Sequence, residues 1–250
     1  LRVRPVAAKI AVLRERRILM NRQTWFAPLL LVLMLFPLYS LAQAGPQANA
    51  HLLYLFSGGL PADANGSMLL LWYAPLALTT AYRFDEVKVR SHGFYLQRLV
   101  RSSRQQYFFG LYARRLLGQT LIFALAIAAT GLFWVATHPQ RGAVATELGA
   151  QLPGALLSLL CFAVLVTLHY LLMLCLEPVI AYLLTNGYMI VSLSLVDVNY
   201  RQPAAWLFFP NAMMNQRIRG FEAAYGWVLL AAMIVLLFLI KFFIGKKDIV

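Results

Sequence analysis

The stretch AAYGWVLLAAMIVLLFLI, residues 223–240, holds no charged side chain at any of its positions. A helix needs about 20 apolar residues to cross hydrocarbon, because it rises ~1.5 Å per residue through a layer ~30 Å thick. Five other runs meet the same demand: Phe26–Ala44, Ala64–Tyr82, Leu116–Thr137, Leu152–Leu176 and Pro178–Val196. The pattern predicts an all-α polytopic membrane protein with six transmembrane helices in one domain spanning residues 1–250. With 61% hydrophobic and only 12% charged residues, the chain has too little polar surface for a soluble globule, where about a quarter of residues are charged.

The boundary between the fourth and fifth runs has two candidates. A turn at Glu177-Pro178 gives two spans of ordinary length and is preferred; a turn at Asn186-Gly187 makes one long and the next short. Pro75 is expected to kink the second span, and Pro28 and Pro37 lie inside the first.

Net charge of +13 would suit nucleic acid, but the charges gather between the apolar runs, so a membrane is expected and nucleic acid is not. Seven Lys or Arg precede residue 23, eight lie in Arg83–Arg115, and Lys241, Lys246 and Lys247 follow the last run. Six spans put these eighteen of the 22 basic residues on one side, leaving Arg141, Arg201, Arg217 and Arg219 on the other. Positive charge stays in the cytoplasm, so both termini are predicted there.

Between the spans, Val6, Ile10 and Leu13 recur at helical spacing among Lys9, Arg14, Arg16 and Arg17. Residues 1–23 therefore read either as a basic helix lying along the cytoplasmic interface or as a plain topology signal. On the opposite side, residues 45–63 and 197–222 contain the short apolar cores LLYLF and AAWLFF, too short to span and suited to interfacial or re-entrant pieces. Asn65-Gly66-Ser67 matches a glycosylation sequon, and Ala124 and Ala128 have the spacing that permits close helix packing.

Chemistry should leave polar groups inside the membrane, where a mid-bilayer charge costs roughly 2.5–3.5 kcal/mol. His169 is the only readily ionisable side chain well inside a predicted span. It is either hydrogen-bonded to a neighbouring helix or backbone, the preferred reading, or part of a relay or metal site that would need more members. Glu177 is expected at the interface. Cys161 and Cys175 are expected as small apolar packing residues, with neither a disulfide nor a zinc site between them. No phosphate-binding loop is present: Gly245-Lys246-Lys247 lacks the upstream Gly and the following Ser or Thr. The chain is expected to be no enzyme by itself, to carry no metal or cofactor, and to rely on another subunit for any ATP hydrolysis. A stand-alone secondary transporter or channel is the alternative, weakened by the lack of acidic residues deep in the spans.

Residues 88–104, KVRSHGFYLQRLVRSSR, hold five basic residues. At 100° per residue, Tyr95, Leu96, Leu99 and Val100 fall on one side and Arg98, Arg101 and Arg104 roughly opposite. The stretch is a topology signal, a lipid patch or a docking helix; its amphipathic order disfavours the first alone. A second basic pair, Arg114-Arg115, stands at the mouth of the third span.

The segment FDEVKVRSHGFYLQRLVRSSRQQYF, followed by ARRLL and ending with the terminal GKKDIV, resembles the permease subunit of a type-2 ATP-binding-cassette exporter. The resemblance implies a bacterial plasma-membrane permease with both termini inside, an N-terminal interfacial helix, a cytoplasmic coupling helix within 83–115 and re-entrant helices within 197–222. It implies a second permease chain, a homodimer being favoured, membrane lipid around it, and a cytoplasmic ATPase subunit that holds the ATP and Mg. By position, the ATPase-coupling interface would comprise Phe94, Tyr95, Leu96, Arg98, Leu99 and Arg101, flanked by Arg14 and Arg17. The permeases of Gram-positive exporters of amphipathic peptides, such as phenol-soluble modulins or bacteriocins, look nearest.

Overall fold

A computed structural model of the chain describes residues 66–81, 87, 104–137, 141–194, 206–213 and 220–246. They form helices α1 (Gly66–Ala81), α2 (Arg104–Thr137), α3 (Arg141–Cys175), α4 (Pro178–Ser194) and α5 (Glu222–Lys246), with a 3-10 turn at Phe209–Met213. No strand occurs among the described residues. Among the described residues three stretches are long and apolar enough to cross a membrane: Gln105–Ala129, Leu152–Cys175 and Glu222–Gly245. The predicted first span Phe26–Ala44 and the N-terminal helix lie outside the described residues.

Contacts fix the directions of the helices. Phe108, Tyr112 and Phe123 of α2 meet Tyr170, Thr167 and Phe162 of α3 in reversed order, so these two run antiparallel. Tyr73 and Ala77 of α1 meet Asn186 and Tyr182 of α4, again reversed. Leu157 and Thr167 of α3 meet Gly226 and Met233 of α5 in the same order, so α3 and α5 run parallel. His169 and Tyr182 face each other 6.3 Å apart across the α3–α4 hairpin. The five helices thus alternate in direction along the chain. Ala81, Arg104, the α3–α4 turn and Lys246 gather at one end, here called the basic end.

The α3–α4 break falls at Leu176-Glu177, and Pro178 opens the next helix, as suits a residue whose missing N–H is an orphan there anyway. Asn186-Gly187 lies inside α4 instead. Its amide is satisfied without a turn, since Asn186 Nδ2 donates to Tyr182 O at 2.8 Å and Oδ1 accepts from Tyr73 at 2.9 Å. Helix α1 continues through Pro75 over its 16 described residues.

Helix α2 has 34 residues with no proline. At ~1.5 Å per residue it is about 51 Å long, well beyond a bilayer core. Its exposed face changes character along the axis: Gln105, Gln106, Gly110, Ala113 and Arg114 come first, then Leu117, Leu121, Leu125, Ala128 and Leu132. A face that contacts lipid must be apolar. By length and composition alone the membrane-length stretch starts at Gln105. The exposed side chains place it after Arg114, and they are the better guide, because composition averages over buried and exposed faces.

The core lies around α3, which contributes Cys161, Phe162, Val164, Leu165, Val166 and Tyr170, all at 0% exposure. Phe162 stacks on Phe123 of α2 at 4.4 Å. Lipid tails are as apolar as Leu, so such helices are held by packing and interhelical hydrogen bonds rather than by expulsion from water.

Candidate functional site: a buried polar seam and a returning segment

Toward the basic end, polar side chains from four helices meet inside the bundle. Arg115 of α2 is 1% exposed, and its Nη2 lies 3.3 Å from Nδ1 of the fully buried His169 on α3. A guanidinium only donates, so Nδ1 accepts and the imidazole is the neutral Nε2–H tautomer. Side chains on a helix lean toward its N-terminus, which aims Arg115 toward the basic end even though it points into the bundle. One turn further on, Gln119 Nε2 donates to Thr79 O in the last turn of α1 at 2.9 Å. Arg115 and Gln119 thereby link α2 to both α3 and α1.

Tyr112, one turn before Arg115, meets Thr167 Oγ1 at 2.9 Å. Thr167 has one hydroxyl hydrogen, and its 2.7 Å bond to Ala163 O uses it, so Tyr112 donates. Met233 Sδ of α5 lies 3.3 Å from Thr167 Oγ1 and 3.9 Å from the Tyr112 hydroxyl, which brings α5 into the same cluster. On the far side of α1, Tyr73 donates to Asn186 and Tyr182 to Ala77 O at 3.4 Å. Thr79, Thr80, Thr185 and Ser192 turn their hydroxyls back onto carbonyls one helical turn earlier. That local bond gives each hydroxyl a carbonyl acceptor on its own helix.

The neighbour-bonded reading of His169 is the one the structure displays. Arg115 was missed by sequence reasoning, which left the pair Arg114-Arg115 at a span mouth; Arg114 is exposed and only Arg115 turns inward. Glu177 is exposed beside the α3–α4 turn. Cys161 is buried, Cys175 is partly exposed, and neither forms a disulfide. Among the described residues no three His, Cys, Asp or Glu side chains gather as a metal site. Phe94, Tyr95, Leu96, Arg98, Leu99 and Arg101 lie outside the described residues, as do Arg14 and Arg17.

The second cluster lies toward the other end. Phe209 lies at the level of Tyr188 on α4 and Cys161 on α3. That is about 9 Å below Ser194 along α4 and about 14 Å below Leu152 along α3. The Tyr188 hydroxyl donates to Leu207 O and accepts from Phe209 N at 2.9 Å. Cys161 Sγ–H donates to Phe209 O at 3.0 Å. Pro210, Asn211, Ala212 and Met213 are buried. Phe208 stacks on Tyr188, and the Trp206 ring lies tilted against Tyr225 of α5.

This arrangement offers hydrogen bonds and one fixed positive charge between helices. The described fold is that of an all-helical protein with membrane-length apolar helices and a polar interior seam. The chain belongs to the family described as "Protein of unknown function (DUF2705)", whose model matches residues 24–250. No curated protein and no solved structure matches the chain.

Proposed function

We propose that the chain is the transmembrane subunit of an ATP-driven exporter, providing the path for a hydrophobic or amphipathic substrate, with an amphipathic peptide favoured. The observation that carries this reading is the continuity of α2. Arg104, the last residue of the basic amphipathic stretch, opens a helix that runs unbroken to Thr137 and places Arg115 in the polar seam. A push on the stretch therefore arrives at the contacts that join α1, α2, α3 and α5. The alternating helix directions add support, since they put Arg104, Lys241 and Lys246 at the same end, as cytoplasmic termini require.

In this reading six spans cross the plasma membrane, two permease chains pair, and residues 206–213 are the re-entrant piece before the last span. The returning segment packs beside the far half of α4. The ATPase subunit docks on Phe94, Tyr95, Leu96, Arg98, Leu99 and Arg101, flanked by Arg14 and Arg17.

Purification from the native membrane in mild detergent tests this. The chain is expected to bring with it a soluble subunit carrying a phosphate-binding loop. The variant combining Tyr95→Glu and Arg98→Glu is expected to insert normally and lose that subunit. Recovery of the chain without any ATPase refutes the exporter reading. Unaltered recovery with the double variant refutes the docking surface.

A further inference from the structure

The His169 ring has one nitrogen settled and one open. Its side chain is 0% exposed, and Nδ1 takes the hydrogen bond from Arg115 at 3.3 Å. Nε2 therefore carries the ring proton, and among the described residues no atom accepts it. A buried N–H in that condition is rare in native proteins, because the group has given up its bonds to water. The ring faces Tyr182 across the α3–α4 hairpin, with centroids 6.3 Å apart and planes inclined at 54°. The Tyr182 hydroxyl spends its hydrogen on Ala77 O of α1, while its oxygen can still accept. The three groups also share a depth. His169 is six residues before the end of α3, Tyr182 four after the start of α4, and Ala77 four before Ala81. At ~1.5 Å per residue each lies about 6–9 Å in from the basic end.

We propose that an internal water binds between His169 and Tyr182, accepting from Nε2–H and donating to the Tyr182 hydroxyl oxygen. Two to four polar partners are what a buried water requires, and these two supply the minimum. The site completes a one-way series of donors that crosses four helices: Arg115 of α2 to His169 of α3, the water, Tyr182 of α4, and Ala77 O of α1. The direction is fixed at both ends, since a guanidinium only donates and a carbonyl only accepts. Each donor in such a series polarises the next. Arg115 is the positioning residue: by occupying Nδ1 it decides that Nε2 presents the proton. Water suits the place because His169 is enclosed and the basic end is only about two helical turns away. The proposal does not rest on the exporter reading.

The test uses the full chain in lipid nanodiscs with His51, His92 and His138 changed to Gln, so that His169 is the sole histidine. With nitrogen-15 histidine, magnetic resonance reads which ring nitrogen is protonated and whether that proton touches water. Direct contact is told from exchange by the opposite sign of the rotating-frame cross-peak. A single tautomer, protonated at Nε2 and in contact with water, is expected. Protonation at Nδ1, or an Nε2–H without water contact, overturns the proposal. Tyr182→Phe keeps the ring beside His169 and removes the acceptor beyond the water. The water cross-peak is expected to weaken at least threefold with the tautomer unchanged, and an undiminished cross-peak overturns the link to α4. Tyr188→Phe, toward the other end of the bundle, is the control. It should leave the cross-peak at the parent value, and a loss equal to that of Tyr182→Phe overturns the site. Arg115→Met takes away the donor to Nδ1, and signals of both tautomers are expected. Persistence of the Nε2–H tautomer alone overturns the positioning role of Arg115.

Discussion

Arg115 brings its guanidinium into a bundle where one nitrogen lies 3.3 Å from His169. Removing a hydrogen-bonding partner from a buried group costs about 1–3 kcal/mol, more than the bond itself contributes net. Arg115→Met keeps most of the stem packing and takes away the donor to His169 Nδ1. It is expected to lower stability by about 1–3 kcal/mol, read as a lower thermal midpoint in detergent. Because the two residues are in contact, adding His169→Leu should cost less than the sum of the single changes; strict additivity would show that the pair is not coupled. The inward arginine was legible in principle. Phe108, Tyr112, Arg115, Gln119, Phe123 and Ala126 are all buried and recur every three or four residues along α2. Cutting the predicted span at Leu116 hid the first half of that stripe, and with it the sign that Arg115, not Arg114, faces in. The partner of Tyr188 had no such signal, since Leu207 and Phe209 lie 19 and 21 residues away in the sequence.

At the scale of elements, the break at Leu176-Glu177 was readable because Pro178 has no N–H to continue a helix. The Asn186-Gly187 alternative looked like a turn only because the Asn186 side chain's partners on α1 and α4 were invisible in the sequence. The helical extension of α2 back to Arg104 was not predicted, since its exposed face there is polar and carries no membrane signal. Gly220 gives an element-scale prediction. At φ 85° any side chain meets its own backbone, although the surrounding space is open. Gly220→Ala is expected to destabilise the entry to α5 by about 1 kcal/mol. Gly187→Ala, inside α4 and equally open, should be neutral or slightly stabilising. Thermal midpoints of the two variants in the same detergent check the contrast.

At the scale of the molecule, the described helices alternate in direction, with Arg104, Lys241 and Lys246 at one end and Arg141 at the other, and the proposed orientation sets the C-terminus in the cytoplasm. A protease added outside intact cells is expected to spare a peptide tag after Val250 and to cut one inserted in residues 197–205; the opposite pattern would invert the orientation. The charge asymmetry of the sequence supplied that expectation before any helix was placed, because it depends on counts in loops and not on packing. What the sequence could not supply is how α2 is tied along its length: Phe108 O accepts from Tyr170, Tyr112 donates to Thr167, Arg115 reaches His169 and Phe123 stacks on Phe162, so a displacement begun at Arg104 is shared with α3 at four levels instead of being taken up at one joint.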